Sequence, residues 1–204
     1  RPFTSIQDGI DTVSEGGTVN VAGGEYNENL GIGQSLTLLG DPGDENTGPA
    51  DGAPRIIGNG CWVITINSNN VTVSGFFIDG DGCSNPVVRV NSDVSGATIT
   101  ENDITGGFRG INLRIDSFGN TISDNIIHDN DTGISITDSF DNTISGNEIY
   151  SNGEGVLLRS DDGGNVSGNS ISQNNIHDNE TGIYAGDSSL NLDKLSITGN
   201  TISS

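Results

Sequence analysis

The sequence predicts an all-β protein, a right-handed parallel β-helix of about seven to eight coils with a short N-terminal capping helix. Three observations predict this solenoid. A phrase recurs every 22 to 27 residues, as in residues 121–136 (TISDNIIHDNDTGISI) and 143–158 (TISGNEIYSNGEGVLL). Each period contains three short apolar segments separated by Gly, Asn, Asp and Ser, and apolar residues recur at fixed places in it. Such a period is typical of one supersecondary unit stacked on itself.

The first 40 residues differ from the repeat and are predicted to form a cap and the first strands. Thr4 and Gln7 fit a capping box with Thr4 as the N-cap, and apolar residues follow at helical spacing from Ile6 to Val13. Because a solenoid exposes an apolar end, we expect this helix to cover it. Residues 19–21 and 36–39 then read as the first strands.

Residues 41–204 are predicted to form the coils, and the last coil ends without a cap. The apolar segments are too short for helices and are rich in Ile, Val and Thr, as strands are. Strand neighbours point to opposite faces, so residues i and i+2 share a face. Four columns are therefore expected to fill the core: Ile64, Val88, Ile111, Ile134, Val156 and Ile183; Ile66, Val90, Leu113, Ile136, Leu158 and Ala185; Ile99, Ile122, Ile144, Ile171 and Ile197; and Ile78, Ile104, Ile127, Ile149, Ile176 and Ile202.

An Asn occupies the same place in five successive periods, at spacings of 23, 22, 27 and 26 residues. Asn accepts the left-handed backbone conformation of a sharp corner, and its amide can bond to backbone groups. We therefore expect these side chains to turn corners and to stack at about 4.8 Å. They are Asn102, Asn125, Asn147, Asn174 and Asn200.

The chain is strongly acidic, with a formal net charge of −21 from 28 acidic and 7 basic residues. Lys194 is the only lysine. Like charge at this density repels itself at low ionic strength, which favours a halophilic source over an ordinary solvated surface. The sign excludes nucleic acid as a partner, and no segment of the chain predicts membrane insertion.

Cysteine and sequon positions predict an extracellular protein. Cys61 and Cys83 are 22 residues apart, one coil, which places them within disulfide range; two buried thiols are the alternative. Candidate glycosylation sites, which could also be accidental in so Asn-rich a chain, are Asn70, Asn130, Asn165 and Asn179.

The outward columns provide the candidate ligand-binding residues. Arg89, Arg114 and Arg159 share one face with Tyr184, and they could bind carboxylated sugars while the Tyr ring stacks on a sugar. Alternatively, the arginines pair with Asp116, Asp138 and Asp161. A different column carries both histidines, His128 and His177, with Tyr150 between; two coils apart, they are too distant to share one metal and are expected to be solvated.

Candidates for metal binding and catalysis are few. Asp79 and Asp81 resemble a fragment of a calcium loop and predict at most a weak Ca²⁺ site, so no cofactor is required. Arg159, Asp161 and Asp162 form the best cluster for acting on a polysaccharide.

The whole chain resembles the right-handed β-helix proteins of the pectin-lyase-like superfamily, most closely NosD-type and haloarchaeal surface repeat proteins. The segments that carry this resemblance, besides the repeat, are residues 3–11 (FTSIQDGID), 16–30 (GGTVNVAGGEYNENL) and 35–40 (SLTLLG). The superfamily includes polygalacturonases, pectate lyases, pectin methylesterases and alginate epimerases. Neither histidine lies in the Gly-His-Gly of a polygalacturonase, and the epimerase Asp-Pro-His is absent, so no catalytic set carries over.

We therefore expect a non-catalytic extracellular domain of a cell-surface or filament-forming protein, with a structural, adhesive or carbohydrate-binding role. The alternative is a polysaccharide-active enzyme, a lyase or hydrolase, on acidic glycans. A NosD-like copper accessory is disfavoured, because the chain has no Met and two distant His. Expected partners are a further copy stacked end to end, a continuation of the chain, or a polysaccharide.

Overall fold

The computed structural model describes residues 3–40, 52–60, 62–160, 164–186 and 190–203. These residues form one helix, α1 (Ile6–Thr12), and parallel strands that stack into a solenoid. The predicted fold class is confirmed. The sheets run without interruption from the first strands into the coils, because β1 (Gly17–Val21) pairs with β4 (Leu36–Gly40) and β4 pairs with β7 (Thr72–Ser74).

Wall A is one sheet of eight parallel strands, six of which have a neighbour on both sides. Most of its strands are only three residues long, because the residue that follows adopts a left-handed conformation. After the last six strands this residue is Gly75, Glu101, Asp124, Gly146, Gln173 and Gly199, respectively. The strands of wall A after β1, β4 and β7 are β9 (Thr98–Thr100), β11 (Thr121–Ser123), β14 (Thr143–Ser145), β17 (Ser170–Ser172) and β20 (Ser196–Thr198).

Walls B and C share two long strands, β8 (Phe77–Val90) and β10 (Asp103–Leu113), which run through both. Wall B contains their first halves with β2 (Glu25–Asn27), β5 (Arg55–Ile57), β12 (Ile126–His128), β15 (Glu148–Tyr150), β18 (Asn175–His177) and β21 (Thr201–Ser203). Wall C contains their second halves with β3 (Leu30–Ile32), β6 (Ile64–Ile66), β13 (Thr132–Thr137), β16 (Glu154–Arg159) and β19 (Thr181–Ala185).

The four predicted apolar columns form the core, and strand register places their members in contact. In wall C, for example, Val88 pairs with Ile111 and Ile111 with Ile134. These side chains are fully buried, and each contributes roughly 1.5–3 kcal/mol. At the last described coil the columns reach the surface, where Ile197 is 45% and Ile202 is 52% exposed.

Helix α1 lies against the first coil, but its predicted N-cap is wrong by one residue. Ser5, not Thr4, is the N-cap, and its hydroxyl accepts from the Asp8 N–H at 3.1 Å. The Glu28 carboxylate accepts from the Ile6 and Gln7 N–H groups at 2.8 and 3.2 Å, which fixes the helix to the solenoid. Ile6 and Ile10 are buried at the end of the core, which is the geometry of a cap.

The predicted Asn ladder is present, but its residues do not adopt the left-handed conformation. The residue before each Asn does so, with φ of 57° at Glu101, 55° at Asp124 and 56° at Gln173. The Asn side chain then turns inward, where its carbonyl accepts from the previous Asn and its amide donates to backbone carbonyls.

Two further Asn ladders occupy the other corners, and sequence reasoning missed both. They comprise Asn120, Asn142 and Asn169, and Asn130, Asn152 and Asn179. The signal was present in the sequence, since each of these Asn residues also recurs one period later.

Candidate functional site

The outer surface of wall C brings together two of the predicted binding residues. Arg89 of β8 and Asn112 of β10 are directly opposite each other in neighbouring strands. Arg114 follows two residues after Asn112, so it shares the outer face. The positive charge of Arg114, together with the larger effect of burial, lowers the pKa of Arg89. The two guanidinium groups are therefore close enough to repel each other.

Neither of these arginines forms an ion pair within the part of the chain that the structure describes. The alternative that they pair with Asp116 or Asp138 is therefore wrong for Arg89 and Arg114. Their Nε atoms are buried and have no hydrogen-bond partner among the described residues. The side-chain carbonyl of Asn112, a residue only 3% exposed, also lacks a partner there. Buried polar atoms without partners are rare and costly, so these three atoms indicate a candidate binding site on wall C.

Trp62 completes this cluster, and sequence reasoning missed it. It immediately precedes β6, is 45% exposed and has a φ of 64°. The Arg89 guanidinium carbon lies 5.3 Å from the centre of the Trp62 ring. A bulky residue in the left-handed region is strained, and such strain occurs often at functional sites. Its signal in the sequence was only that Trp62 is the single tryptophan.

The other predicted members of the site lie further along wall C. Arg159 is opposite Thr137, which places it two coils, about 10 Å, from Arg114. Tyr184 is opposite Leu157 and is 47% exposed. The predicted catalytic partners Asp161 and Asp162 lie outside the described residues. The structure thus groups Arg89 with Arg114 and separates both from Arg159 and Tyr184.

On wall B, His128, Tyr150 and His177 stack as a column of nearly parallel rings. Ring centres are 5.0 and 5.2 Å apart, with interplanar angles of 6° and 8°. The ring nitrogens of His128 lie 2.9 Å from Asp103 Oδ1 and 2.6 Å from Asp129 Oδ2. Those of His177 lie 2.8 Å from Asp178 Oδ2 and 3.4 Å from Glu148 Oε1.

The carboxylates around these rings keep His128 charged at neutral pH. The hydrogen bond to Asp103 is the main cause that raises the pKa of His128 to about 9, although burial opposes it. The hydrogen bond to Asp178 likewise raises the pKa of His177. The column is therefore a stack of three aromatic rings in which carboxylates occupy the ring nitrogens of both histidines.

We expect the free energy of unfolding to fall as pH rises above neutrality. Because the folded pKa of His128 exceeds its unfolded value, its contribution is complete below about pH 6.5 and is lost as pH rises through about 9. The loss is on the order of 2 kcal/mol. Urea unfolding at several pH values should show this slope in the wild type and a flatter one in His128→Gln. An equal slope in both proteins would contradict it, and NMR titration of the imidazole should give a pKa near 9.

The predicted calcium residues are engaged with other groups. Asp79 Oδ2 accepts from Arg55 at 2.9 Å, and Asp79 Oδ1 accepts from the Asp81 N–H at 2.8 Å. Among the described residues, no three His, Cys, Asp or Glu side chains are placed to hold a metal ion. The weak Ca²⁺ site remains a prediction, although both carboxylate oxygens of Asp79 already accept hydrogen bonds.

An open groove of about 570 Å³ lies beside the corner between walls B and C. It is lined by Asp131, Glu154 and Glu180 and by the half-exposed ring of Phe108. Glu154 accepts from the Thr132 hydroxyl at 2.9 Å. Its charge makes this groove unfavourable for an acidic ligand.

The predicted modification sites have different surroundings. Asn130 is buried, and its amide donates to His128 O and to Asn152 Oδ1, so a glycan on that nitrogen would break the ladder. The prediction for Asn130 is therefore wrong, and the half-buried Asn179 amide is used in the same way. Asn70 is exposed and Asn165 half-buried, and both stay predicted sites.

The predicted disulfide cannot be placed, since Cys61 lies outside the described residues. Cys83 is half-buried in β8, and its thiol lies 3.0 Å from the Asn85 carbonyl oxygen. The pairing of Cys61 with Cys83 remains a prediction.

No helix among the described residues is both long and apolar enough to cross a membrane.

Comparison with known proteins finds a surface protein and several enzymes of the same fold. A cell surface glycoprotein of Methanothermus fervidus is 35% identical over 110 residues, 53% of this chain and 16% of the glycoprotein. The chain therefore spans less than a fifth of that protein.

Among solved structures, the alginate lyase of Paenibacillus sp. matches 96% of this chain and 72% of its own, with a TM-score of 0.54 and 19% identity. A pectin methylesterase of Aspergillus niger matches 98% of this chain and 82% of its own, with a TM-score of 0.57 and 13% identity. At these identities the similarity establishes the fold alone, a parallel β-helix.

The family model described as periplasmic copper-binding protein (NosD) matches residues 47–204. This range covers every strand from β5 to β21, in all three walls. The chain belongs to the NosD family.

Proposed function

We propose that this chain is a non-catalytic domain of a cell-surface protein, whose wall C binds carbohydrate through Arg89 and Arg114. The single observation that carries the proposal is that Arg89 and Arg114 have no acidic partner among the described residues of a protein with a net charge of −21. Arg55, by contrast, is paired with the carboxylate of Asp79. Two cations kept apart from so many available carboxylates fit an anionic ligand.

A surface location is supported by the relative that the chain resembles and by the periplasmic setting in the family's description. Since the chain spans only 16% of that glycoprotein, any role of a whole protein in adhesion or in filaments is a further proposal. The solenoid suits such a role, because stacked coils make a long rigid surface.

Copper, which the family's description names, does not fit the residues present. The His128 and His177 rings are about 10 Å apart with Tyr150 between them. Each ring nitrogen already faces a carboxylate, and the chain contains no Met. A copper site needs neutral imidazole or soft sulfur ligands that converge within about 2 Å of the metal. We therefore derive no copper chemistry for this chain.

The alternative, an enzyme acting on acidic glycans, has Arg159, Asp161 and Asp162 as its candidate site. No observation on the described residues favours it, because the two aspartates lie outside them and the engaged histidines provide no available base. The enzymes of similar fold are too distant in sequence to support an activity here.

Incubation with pectate or alginate tests the proposal. We expect the purified domain to retard the polysaccharide in affinity electrophoresis while its chain length, measured by size exclusion, stays unchanged. Shortening of the polysaccharide would contradict the non-catalytic role.

The acidic composition also supports a halophilic source. Because salt screens the repulsion between like charges, the midpoint of thermal unfolding should be higher at about 2 M than at about 0.1 M salt. A midpoint that does not depend on salt would contradict the halophilic source.

A further inference from the structure

We infer that Trp62, Arg89, Asn112 and Arg114 form a site for one uronate residue of an acidic polysaccharide. This inference rests on the proposed carbohydrate-binding function and names its ligand chemistry and its residues. It places the ligand on the N-terminal half of wall C, beside β6, β8 and β10, and not along the whole face that Arg159 and Tyr184 share.

The arginine pair selects the carboxylate. Arg89 lies in β8 and Arg114 directly follows the adjacent strand β10, and neither has an ion-pair partner among the described residues. Guanidinium groups bind carboxylates through two parallel hydrogen bonds, which adds geometric selectivity to the attraction. A bound carboxylate would also remove the repulsion between the two cations.

Asn112 supplies an acceptor for a sugar hydroxyl. Its side-chain carbonyl is buried and has no donor within the described part of the chain. A carboxylate cannot fill that role because it has no hydrogen to donate, but the hydroxyl groups of a sugar ring can. The site therefore presents both donors and an acceptor, the combination that a hydroxylated acid requires.

Trp62 supplies the apolar surface for the sugar ring. Its side chain is 45% exposed, and its left-handed backbone keeps it beside Arg89. Aromatic side chains pack against the apolar faces of sugars. The Trp62 ring would therefore pack against the sugar ring of the uronate whose carboxylate the arginines bind. An exposed aromatic in a left-handed conformation is strained, and such strain occurs often at functional sites.

Tryptophan fluorescence offers a direct measurement, because Trp62 is the only tryptophan. We expect titration with oligogalacturonate at about 0.1 M salt to change the emission of Trp62 in a saturable way. The fully methyl-esterified oligomer, which has the same rings without the charge, should bind much more weakly. Dextran sulfate separates a preference for carboxylate from binding of any polyanion.

Variants locate the site. Arg89→Gln and Arg114→Gln should each weaken binding at least about ten-fold, the usual effect of losing a hydrogen bond to a charged group. Arg55→Gln is the matched control, since it removes the same charge from an arginine that is paired with Asp79. Trp62→Asn, in which Asn tolerates the left-handed backbone, should weaken binding in calorimetry without loss of the fold.

The outcomes distinguish failure of the uronate site from failure of the proposed carbohydrate-binding function. If Arg89→Gln and Arg114→Gln bind as the wild type does, or if Arg55→Gln loses as much, the site and the role of the arginine pair are wrong, while binding of carbohydrate by another part of the domain stands. If the methyl ester or dextran sulfate binds as well as oligogalacturonate, the uronate assignment is wrong. If no polysaccharide, charged or neutral, binds the wild type, both the site and the proposed function fail.

Discussion

Replacement of Asn147 by Ala is expected to lower the free energy of unfolding by about 3–5 kcal/mol. Asn147 is 1% exposed and lies in the middle of the longest Asn ladder. Its side-chain carbonyl accepts from the Asn125 backbone N–H and from the Asn125 amide, both at 3.0 Å. Its own amide donates to Ile122 O at 3.0 Å and to Asn174 Oδ1 at 2.9 Å.

The expected cost follows from burial. In Asn147→Ala the Asn125 N–H stays inside the solenoid without an acceptor, and water cannot replace the lost carbonyl without entering the core. Because the ladder continues on both sides, the defect also disturbs the corner of the next coil. A surface hydrogen bond would be worth far less, since water would take its place.

Urea unfolding at constant salt measures this effect. Asn175→Ala is the matched control, because Asn175 is exposed in the neighbouring coil and its loss should change stability by at most about 0.5 kcal/mol. If the two variants are equally stable, the ladder does not support the fold in the way described.

Replacement of Gly133 by Ala is expected to lower the free energy of unfolding by about 2–4 kcal/mol. Gly133 is the second residue of the wall C strand β13 and the glycine of the repeated phrase. A Cβ atom there would lie 2.6 Å from the Gly155 carbonyl oxygen of the next coil and 2.9 Å from Ile149 Cγ2. The same conflict exists at Gly110 and at Gly155, so this column of the repeat consists of glycine because the coils approach closely.

Gly31→Ala is the matched control for this substitution. Gly31 also lies in a wall C strand, but a Cβ there would meet nothing within 4 Å. It should leave stability unchanged or raise it slightly, since Ala restricts the unfolded chain. Thermal unfolding of the two variants at the same salt compares them, and equal midpoints would show that the close approach does not limit this position.

Local pattern predicted the elements well. Residues 19–21 and 36–39 lie in strands, the helix occupies residues 6–12, and all four apolar columns are in register. The repeat was sufficient to predict the strands and the columns, because every coil has the same alternation of apolar and polar residues. The pattern could not show that Ser5 caps the helix, since Thr4 and Ser5 are equally suited by residue type.

The candidate site was predicted only in part. Arg89 and Arg114 were identified from their shared outward face, but whether they pair with an acid depends on side-chain positions in adjacent coils. Trp62 was missed because it lies outside the repeated positions, and its proximity to Arg89 arises only from stacking of one coil on the next. The sequon at Asn130 was misread for the same reason, since its burial results from contact with Asn152.

The sequence by itself determined the solenoid, its core columns and its acidic surface, because period, alternation and charge are properties of the chain read in order. Only the tertiary structure decided which polar groups meet. Stacking brings together residues about 22 to 27 positions apart, and a strand spacing of about 4.8 Å then decides every contact between coils. Contacts between coils therefore pair Arg55 with Asp79, whereas Arg89 and Arg114 have no carboxylate partner among the described residues.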